Sequence, residues 1–179
     1  ELEARGRDEI AKEKVGIAPV AAHVAEAVRV RAEQRKVAIA VDVPDGLAAV
    51  ADPEGLERAV INLVDNAIKY GKEGGSVTLA ATRDGDRAVV SVTDDGVGID
   101  GKHLPRVFER FYRVDPGRAR AHGGAGLGLS IVKHLVESMD GTITAESELG
   151  KGARFAITLP SAAPSARPIL KQIRRAARA

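Results

Sequence analysis

The chain has 179 residues, with 27 Lys+Arg against 25 Asp+Glu, 44% hydrophobic and 29% charged residues, and no cysteine. That balance fits one folded domain with appendages and argues against wholesale disorder. The missing cysteines exclude disulfides, thiolate metal sites, iron–sulfur clusters and cysteine nucleophiles.

Residues 1–14 are dense in charge and carry no apolar stripe. They read as the solvated end of a helix that continued upstream. Val20, Val24, Ala27, Val28 and Arg31 recur at helical spacing, which predicts a helix over about 18–35. Val37–Val41 is a short apolar run before Pro44-Asp45-Gly46, a strand and a turn. Asp52-Pro53 opens a second helix, with an Asp N-cap and proline at the first helical position. Its buried stripe is Leu56, Val60, Leu63 and Ala67.

Gly74-Gly75 ends that segment. Ser76–Arg83 and Arg87–Thr93 then flank the turn Asp84-Gly85-Asp86 as a β-hairpin. Residues 113–126 lack periodicity and read as a long loop, a length that usually serves function. Leu127–Met139 is a third amphipathic helix. Thr142–Glu146 and Ala153–Leu159 form a closing hairpin around Gly150-Lys151-Gly152. Residues 161–179 read as a disordered Ala/Pro/Arg tail. Five basic residues and no acid fall in 160–179, so the positive charge belongs to the tail, and the rest of the chain is net acidic. A nucleic-acid partner, which needs a basic face on the domain itself, is not expected. No apolar stretch reaches the roughly 18 residues that span a bilayer. The N-terminus, Glu1-Leu2-Glu3-Ala4-Arg5, is no signal peptide. The expectation is a cytoplasmic chain without a membrane segment.

Four segments carry chemistry. On the second helix, Asn62, Asn66 and Lys69 share one face at about 100° per residue, and Tyr70 borders it. Asparagine is a mediocre helix former. Amide oxygens there suit Mg²⁺ and an ammonium suits phosphate, although a solvated helix face explains the same pattern. Asp94-Asp95-Gly96-Val97-Gly98-Ile99 follows a strand. Its glycines let backbone approach a ligand, and its carboxylate could accept from an exocyclic amine. The plain alternative is a turn with two solvated acids. Gly123-Gly124-Ala125-Gly126-Leu127-Gly128-Leu129 opens the third helix, where free N–H groups and the helix dipole favour an anion. A flexible hinge is the other reading. Three of the five aromatics lie in Arg106–Arg113. They read as a small core cluster beside arginines suited to phosphate, Arg113, Arg118 and Arg120.

In this order the segments resemble the ATP-binding catalytic domain of sensor histidine kinases, of the GHKL superfamily. Asn62–Tyr70 looks like the N box, Asp94–Ile99 the G1 box, Val107–Arg113 the F box and Gly124–Leu129 the G2 box. Gly150–Phe155 is similar to the glycine motif before the last strand. The resemblance covers about 15–160 and implies a two-layer α/β sandwich of the Bergerat type, a mixed sheet under three helices.

It also implies roles. Asn66 ligates the Mg²⁺ that bridges the phosphates, and Asn62 supports the polyphosphate. Lys69 contacts phosphate and Tyr70 packs by the purine. Asp94 accepts from the adenine amine, while Gly96, Gly98 and Ile99 pass the base. Residues 113–126 form the ATP lid, with Arg113 reaching the γ-phosphate. Gly124, Gly126, Leu127, Gly128 and Leu129 cradle phosphates. Ala125 departs from the family's frequent Thr or Ser.

Hydrolysing members and anti-sigma serine kinases carry Glu, a general base, where this chain has Asn62. An amide cannot take a proton, whereas a neutral imidazole attacks phosphorus with its own lone pair. Transfer to histidine is therefore expected over hydrolysis. The alternatives are a stand-alone serine kinase of the anti-sigma type and a nucleotide-binding module without turnover. None of His23, His103, His122 and His134 has the family's acceptor context. His23, His103 and His134 read as surface residues. The resemblance thus implies a catalytic fragment. Its partners are ATP or ADP, a histidine-bearing dimerisation domain of the same kinase, and a response regulator.

Overall fold

The computed structural model describes residues 11–114 and 126–162. Elements run in the order β1 (Glu13–Gly16), α1 (Ile17–Gln34), β2 (Ala38–Asp42), β3 (Ala48–Ala51), α2 (Pro53–Tyr70), β4 (Ser76–Asp84) and β5 (Arg87–Asp94). A single 3₁₀ turn (Leu104–Arg106) follows, then α3 (Gly128–Ser138), β6 (Thr142–Ser147) and β7 (Ala153–Pro160).

The main sheet has five strands in the order β2-β4-β5-β7-β6. β2 pairs with β4 in parallel and every other pair is antiparallel, so the sheet is mixed. The three helices pack on one face. Strand alternation sends Val77, Leu79, Val90, Val92, Ile157 and Leu159 to that face, all nearly fully buried. Val24 and Val28 of α1, Leu56, Val60 and Leu63 of α2, and Val132 and Val136 of α3 meet them. The expected two-layer α/β sandwich with three helices over a mixed sheet is therefore what the chain forms.

The start of α2 follows its sequence signals. Asp52 Oδ2 accepts from Gly55 N at 2.9 Å and Pro53 occupies the first turn. The hairpin β4–β5 turns at the expected Asp84-Gly85-Asp86, where Gly85 has φ +58°.

Two expectations need correction. Glu13 and Lys14 are not the end of a helix: they lie in β1, antiparallel to β3, with Glu13 opposite Ala51 and Lys14 opposite Val50. β3 itself, Ala-Ala-Val-Ala, carries little strand propensity. Its conformation comes from burial of Ala48, Ala49 and Ala51 and from its partner strand, which is tertiary information. At the other end, Ser161 and Ala162 belong to the domain and not to the tail. Ser161 N donates to Asp86 O at 2.8 Å and Ala162 N to Ala48 O at 2.9 Å. Residues 1–10 and 163–179 lie outside the described residues.

Candidate functional site

α2 is buried along Leu56, Val60, Leu63 and Ala67, so the neighbouring face with Asn66 and Lys69 is left at the edge of the helix layer. There it forms one wall of a cleft of about 640 Å³. Other walls come from the end of β5 and the loop after it (Asp94, Gly98, Ile99), from Tyr112 and Arg113, and from the start of α3 (Gly126–Leu129). Segments far apart in sequence thus converge on one concavity, as a small-molecule site requires.

Of the residues picked out by sequence, Asn66, Lys69, Tyr70, Asp94, Gly98, Ile99, Arg113, Gly126, Leu127, Gly128 and Leu129 line the cleft. Lys69 Nζ sits 5.2 Å from the centroid of the Tyr70 ring, and Tyr70 is half exposed at the rim. Asn62 and Gly96 stand just behind the wall. Asn62 Nδ2 donates to Arg58 O on its own helix at 2.8 Å, which commits the nitrogen and leaves Oδ1 toward α3. A β-carbon at Gly128 would lie 3.7 Å from Asn62 Oδ1 and 3.9 Å from Asn66 Oδ1, so both amides flank the first residue of α3. Gly96 is required by crowding: a β-carbon there would stand 2.5 Å from Tyr70 O. Gly124 lies outside the described residues, as do Arg118, Arg120 and His122.

Asp94 ends β5 and is 8% exposed. Its Oδ1 accepts from Gly96 N at 2.8 Å. Burial pushes its carboxyl above the ordinary aspartate range, and the N–H groups of Gly96 and Ala153 pull the other way. The loop after it is stitched to the β6–β7 hairpin. Ile99 N donates to Ser147 Oγ at 2.7 Å, Ser147 Oγ donates to Gly152 O at 2.6 Å, and Gly150 N donates to Val97 O at 2.8 Å.

α3 begins without a side-chain cap and without an acid in its first turn. Its first N–H groups therefore have no capping side chain, and the residues that carry them line the cleft with Lys69 and Asn66, an arrangement suited to phosphate oxygens. Phe111 N donates to Gly126 O at 2.9 Å, which holds the chain before Tyr112 against the residue ahead of α3. The aromatics of Arg106–Arg113 do not form the cluster expected of them: Phe108 packs edge-on against Phe155, with ring centroids 6.2 Å apart, and Tyr112 lies against His103. Phe111 joins neither pair and is 69% exposed.

Two features escaped the sequence. Arg35, at the C-cap of α1, lines the cleft and donates from Nη2 to Gly71 O at 3.2 Å. It is more than 25 residues from any motif, and only the parallel packing of α1 on α2 brings it in. His103 is also no ordinary surface residue: its Nδ1 meets the Tyr112 hydroxyl, and it is half-buried. His134 is exposed, and His23, exposed too, lies 3.1 Å from Glu57. Among the described residues no helix is long and apolar enough to cross a membrane.

Comparison with known proteins agrees with this geometry. Residues 51–163 match the family described as histidine kinase-, DNA gyrase B-, and HSP90-like ATPase. The sensor-like histidine kinase SenX3 of Mycobacterium tuberculosis is 42% identical over 133 residues, 74% of this chain and 32% of the relative. WalK of Bacillus subtilis, a sensor histidine kinase, is 41% identical over 122 residues, 66% of this chain and 20% of the relative. The solved structure of the mycobacterial sensor histidine kinase MprB superposes with a TM-score of 0.75 at 32% identity, covering 83% of this chain and 98% of that one. Full-length ShkA, solved in complex with AMPPNP, gives 0.77 at 34% identity, covering 88% of this chain and 32% of that one. The chain thus spans about a third of the length of the SenX3 relatives it matches. By the match over 51–163 and the fit to a whole kinase domain structure, the chain belongs to the histidine kinase-, DNA gyrase B- and HSP90-like ATPases, as an ATP-binding domain of the sensor histidine kinase kind.

Proposed function

We propose that this domain holds Mg·ATP in the cleft and offers its γ-phosphoryl group to a histidine on a separate dimerisation domain, from which a response regulator takes it. The observation that carries the reading is the convergence of Asn66, Lys69, Asp94 and the start of α3 on one cleft. The domain runs from β1 to Ala162, a little wider at both ends than the motifs alone suggest.

Asp94 accepts from the adenine amine, a buried charge-assisted bond that a guanine carbonyl cannot make. Tyr70 stacks by the purine. Gly98 and Ile99 pass the base closely. Lys69, Arg113 and the N–H groups of Gly126–Leu129 take the phosphates. Phosphoryl transfer needs little covalent help from the protein, so these contacts supply most of what catalysis requires.

The donor set suits magnesium. Asn62 Oδ1 and Asn66 Oδ1 are hard oxygens beside the α3 N-terminus. Among the described residues no group of three His, Cys, Asp or Glu could cage a metal, which matches an ion whose other ligands are phosphates and water. When bound, the ion neutralises charge between the phosphates. Asn66 would hold it, with Asn62 in support.

An incoming imidazole attacks phosphorus with its ring lone pair while the bond to the β-phosphate oxygen breaks and ADP leaves. No proton is removed by Asn62, which suits histidine better than water as acceptor. The test is calorimetry of ATP and GTP binding to wild type and Asp94→Asn. Loss of the buried bond costs about 1–3 kcal/mol, or roughly fivefold to over a hundredfold in ATP affinity. Equal ATP affinity in both proteins removes Asp94 from the site.

A further inference from the structure

We propose that His103 is a positioning residue for this cleft: it anchors Tyr112, and through Tyr112 the root of the segment that carries Arg113. The inference rests on the nucleotide reading above.

Tyr112 is gripped from two sides by one short turn. Its hydroxyl shares a hydrogen bond with His103 Nδ1, with the two rings tilted at 50°. Three residues on, the Arg106 guanidinium carbon lies 4.3 Å from the centroid of the Tyr112 ring. Arg106 is itself fixed by Glu109 through contacts of 3.0–3.2 Å. His103 and Arg106 are rigidly related, because Arg106 N donates to His103 O at 2.9 Å and His103 N to Asp100 O at 2.8 Å.

What the grip holds is strained. Phe111, the residue before Tyr112, has φ +63°, a conformation that a bulky side chain disfavours. Burial does not enforce it, since Phe111 is 69% exposed. Such strain persists only where neighbours over-determine it. Here the neighbours are the Phe111 N–H to Gly126 O bond on one side and the gripped Tyr112 on the other. Gly126 lies hard against the same backbone: a β-carbon on it would stand 3.0 Å from Phe111 Cα and 3.1 Å from Tyr112 O. Tyr112, Arg113 and Gly126 all line the cleft. Holding Tyr112 therefore sets where both Arg113 and the start of α3 stand.

The test compares His103→Ala, His103→Asn, Tyr112→Phe and the double variant His103→Ala/Tyr112→Phe in this chain. Two quantities are measured: hydrogen exchange of the Phe111 amide without nucleotide, and ATP affinity by calorimetry. His103→Ala and Tyr112→Phe each speed Phe111 exchange and weaken ATP by about three- to tenfold, the range of one hydrogen bond. The double variant is no worse than either single one, and His103→Asn, which keeps a hydrogen-bonding group near Nδ1, stays near wild type. Amides in β5 keep their protection in all four. Unchanged Phe111 exchange in His103→Ala overturns the anchoring, as does simple multiplication of the two single effects. Wild type failing to bind ATP would instead sink the nucleotide reading, and the exchange arm alone would then decide for or against the anchor.

Discussion

The carbonyl oxygen of Asp94 and the α-carbon of Gly152 are in such close contact that a β-carbon on Gly152 would lie 1.9 Å from that oxygen. Gly152 also has φ +85°. Two independent reasons, backbone conformation and contact with the residue proposed to read the base, thus require glycine just before β7. Gly152→Ala must push Asp94 or β7 aside. We expect a loss of at least about 2 kcal/mol in stability, several degrees in Tm for a domain of this size, with ATP affinity falling alongside. A thermal melt and a calorimetric titration check it. A variant with wild-type Tm and affinity would show that the contact is slack.

Asp94 also makes a prediction about pH. Burial raises its folded-state pKa above the unfolded value, so the folded domain holds this proton more tightly. The stability it contributes is complete below the ordinary carboxylate range and is lost as pH rises through the raised value. Asp65 on α2 shifts the same way by burial, opposed by Arg31 Nε at 2.9 Å. Asp100 and Glu109 shift down, through hydrogen bonds from Lys102 N and from Arg106, but lie at the surface and contribute little. Chemical denaturation of the nucleotide-free domain from acid to neutral pH should show wild type losing stability relative to Asp94→Asn. ATP affinity should rise over the same window, as the carboxylate gains its charge. A stability difference that is flat in pH would show that Asp94 titrates alike in the folded and unfolded chain.

The metal expectation concerns Asn66. If Asn66 holds the metal as proposed, its amide oxygen beside the α3 N-terminus would tie nucleotide binding to magnesium. Asn66→Ala should weaken Mg·ATP more than metal-free ADP, by roughly tenfold if one ligand is lost. Magnesium titrations at fixed ATP measure it. Identical curves for wild type and variant would take the metal away from Asn66.

Much of this was legible from residues because the informative signals are local. Asp52-Pro53 sets a helix start by capping, the period of Leu56, Val60 and Leu63 sets its buried face, and Gly85 sets a hairpin turn. The cleft residues were legible for a different reason: polar amides stand on a helix face where propensity does not ask for them, and the glycines cluster where backbone must approach closely. What was not legible depends on partners distant in sequence. β3 is four small residues made a strand by β1 and by the bridge from Ala49 to Ser161. Arg35 enters the cleft because α1 runs beside α2. His103 looked like any loop histidine until the turn at Leu104–Arg106 set it against Tyr112.

The domain's edges give a further expectation. Ser161 and Ala162 close backbone bonds onto Asp86 and Ala48, and Ser161 pairs with β3. Removing 161–179 should therefore cost about 1–3 kcal/mol, for the lost bonds and the uncovered β3 edge. Removing only 163–179 should leave Tm and ATP affinity nearly unchanged. Melting both truncations side by side distinguishes them. Equal Tm values would mean that the two residues add nothing, while a drop in the shorter truncation alone would place apolar Ile169 or Leu170 on the domain.

The last expectation follows from Asn62. Its nitrogen is committed to Arg58 O and its oxygen carries no proton-accepting strength comparable to a carboxylate. Water in the cleft would have to lose a proton as it attacks, and the side chain that serves as base in hydrolysing relatives is an amide here. An imidazole needs no such help, but it must be held near the γ-phosphate, and effective molarity supplies much of that reaction. Of the described histidines, His23 and His134 are exposed on helices outside the cleft walls, and His103 is engaged with Tyr112. Incubated alone with labelled ATP, the chain should hydrolyse it very slowly and form no stable phosphoprotein. Supplied with a histidine-bearing dimerisation domain from its own kinase, it should label that partner with a bond that is acid-labile and base-stable. Asn62→Glu should raise hydrolysis by the isolated chain if a base is all that is missing. Brisk hydrolysis by wild type would place the chain with the ATPases, and acid-stable label on a serine would make it a serine kinase instead.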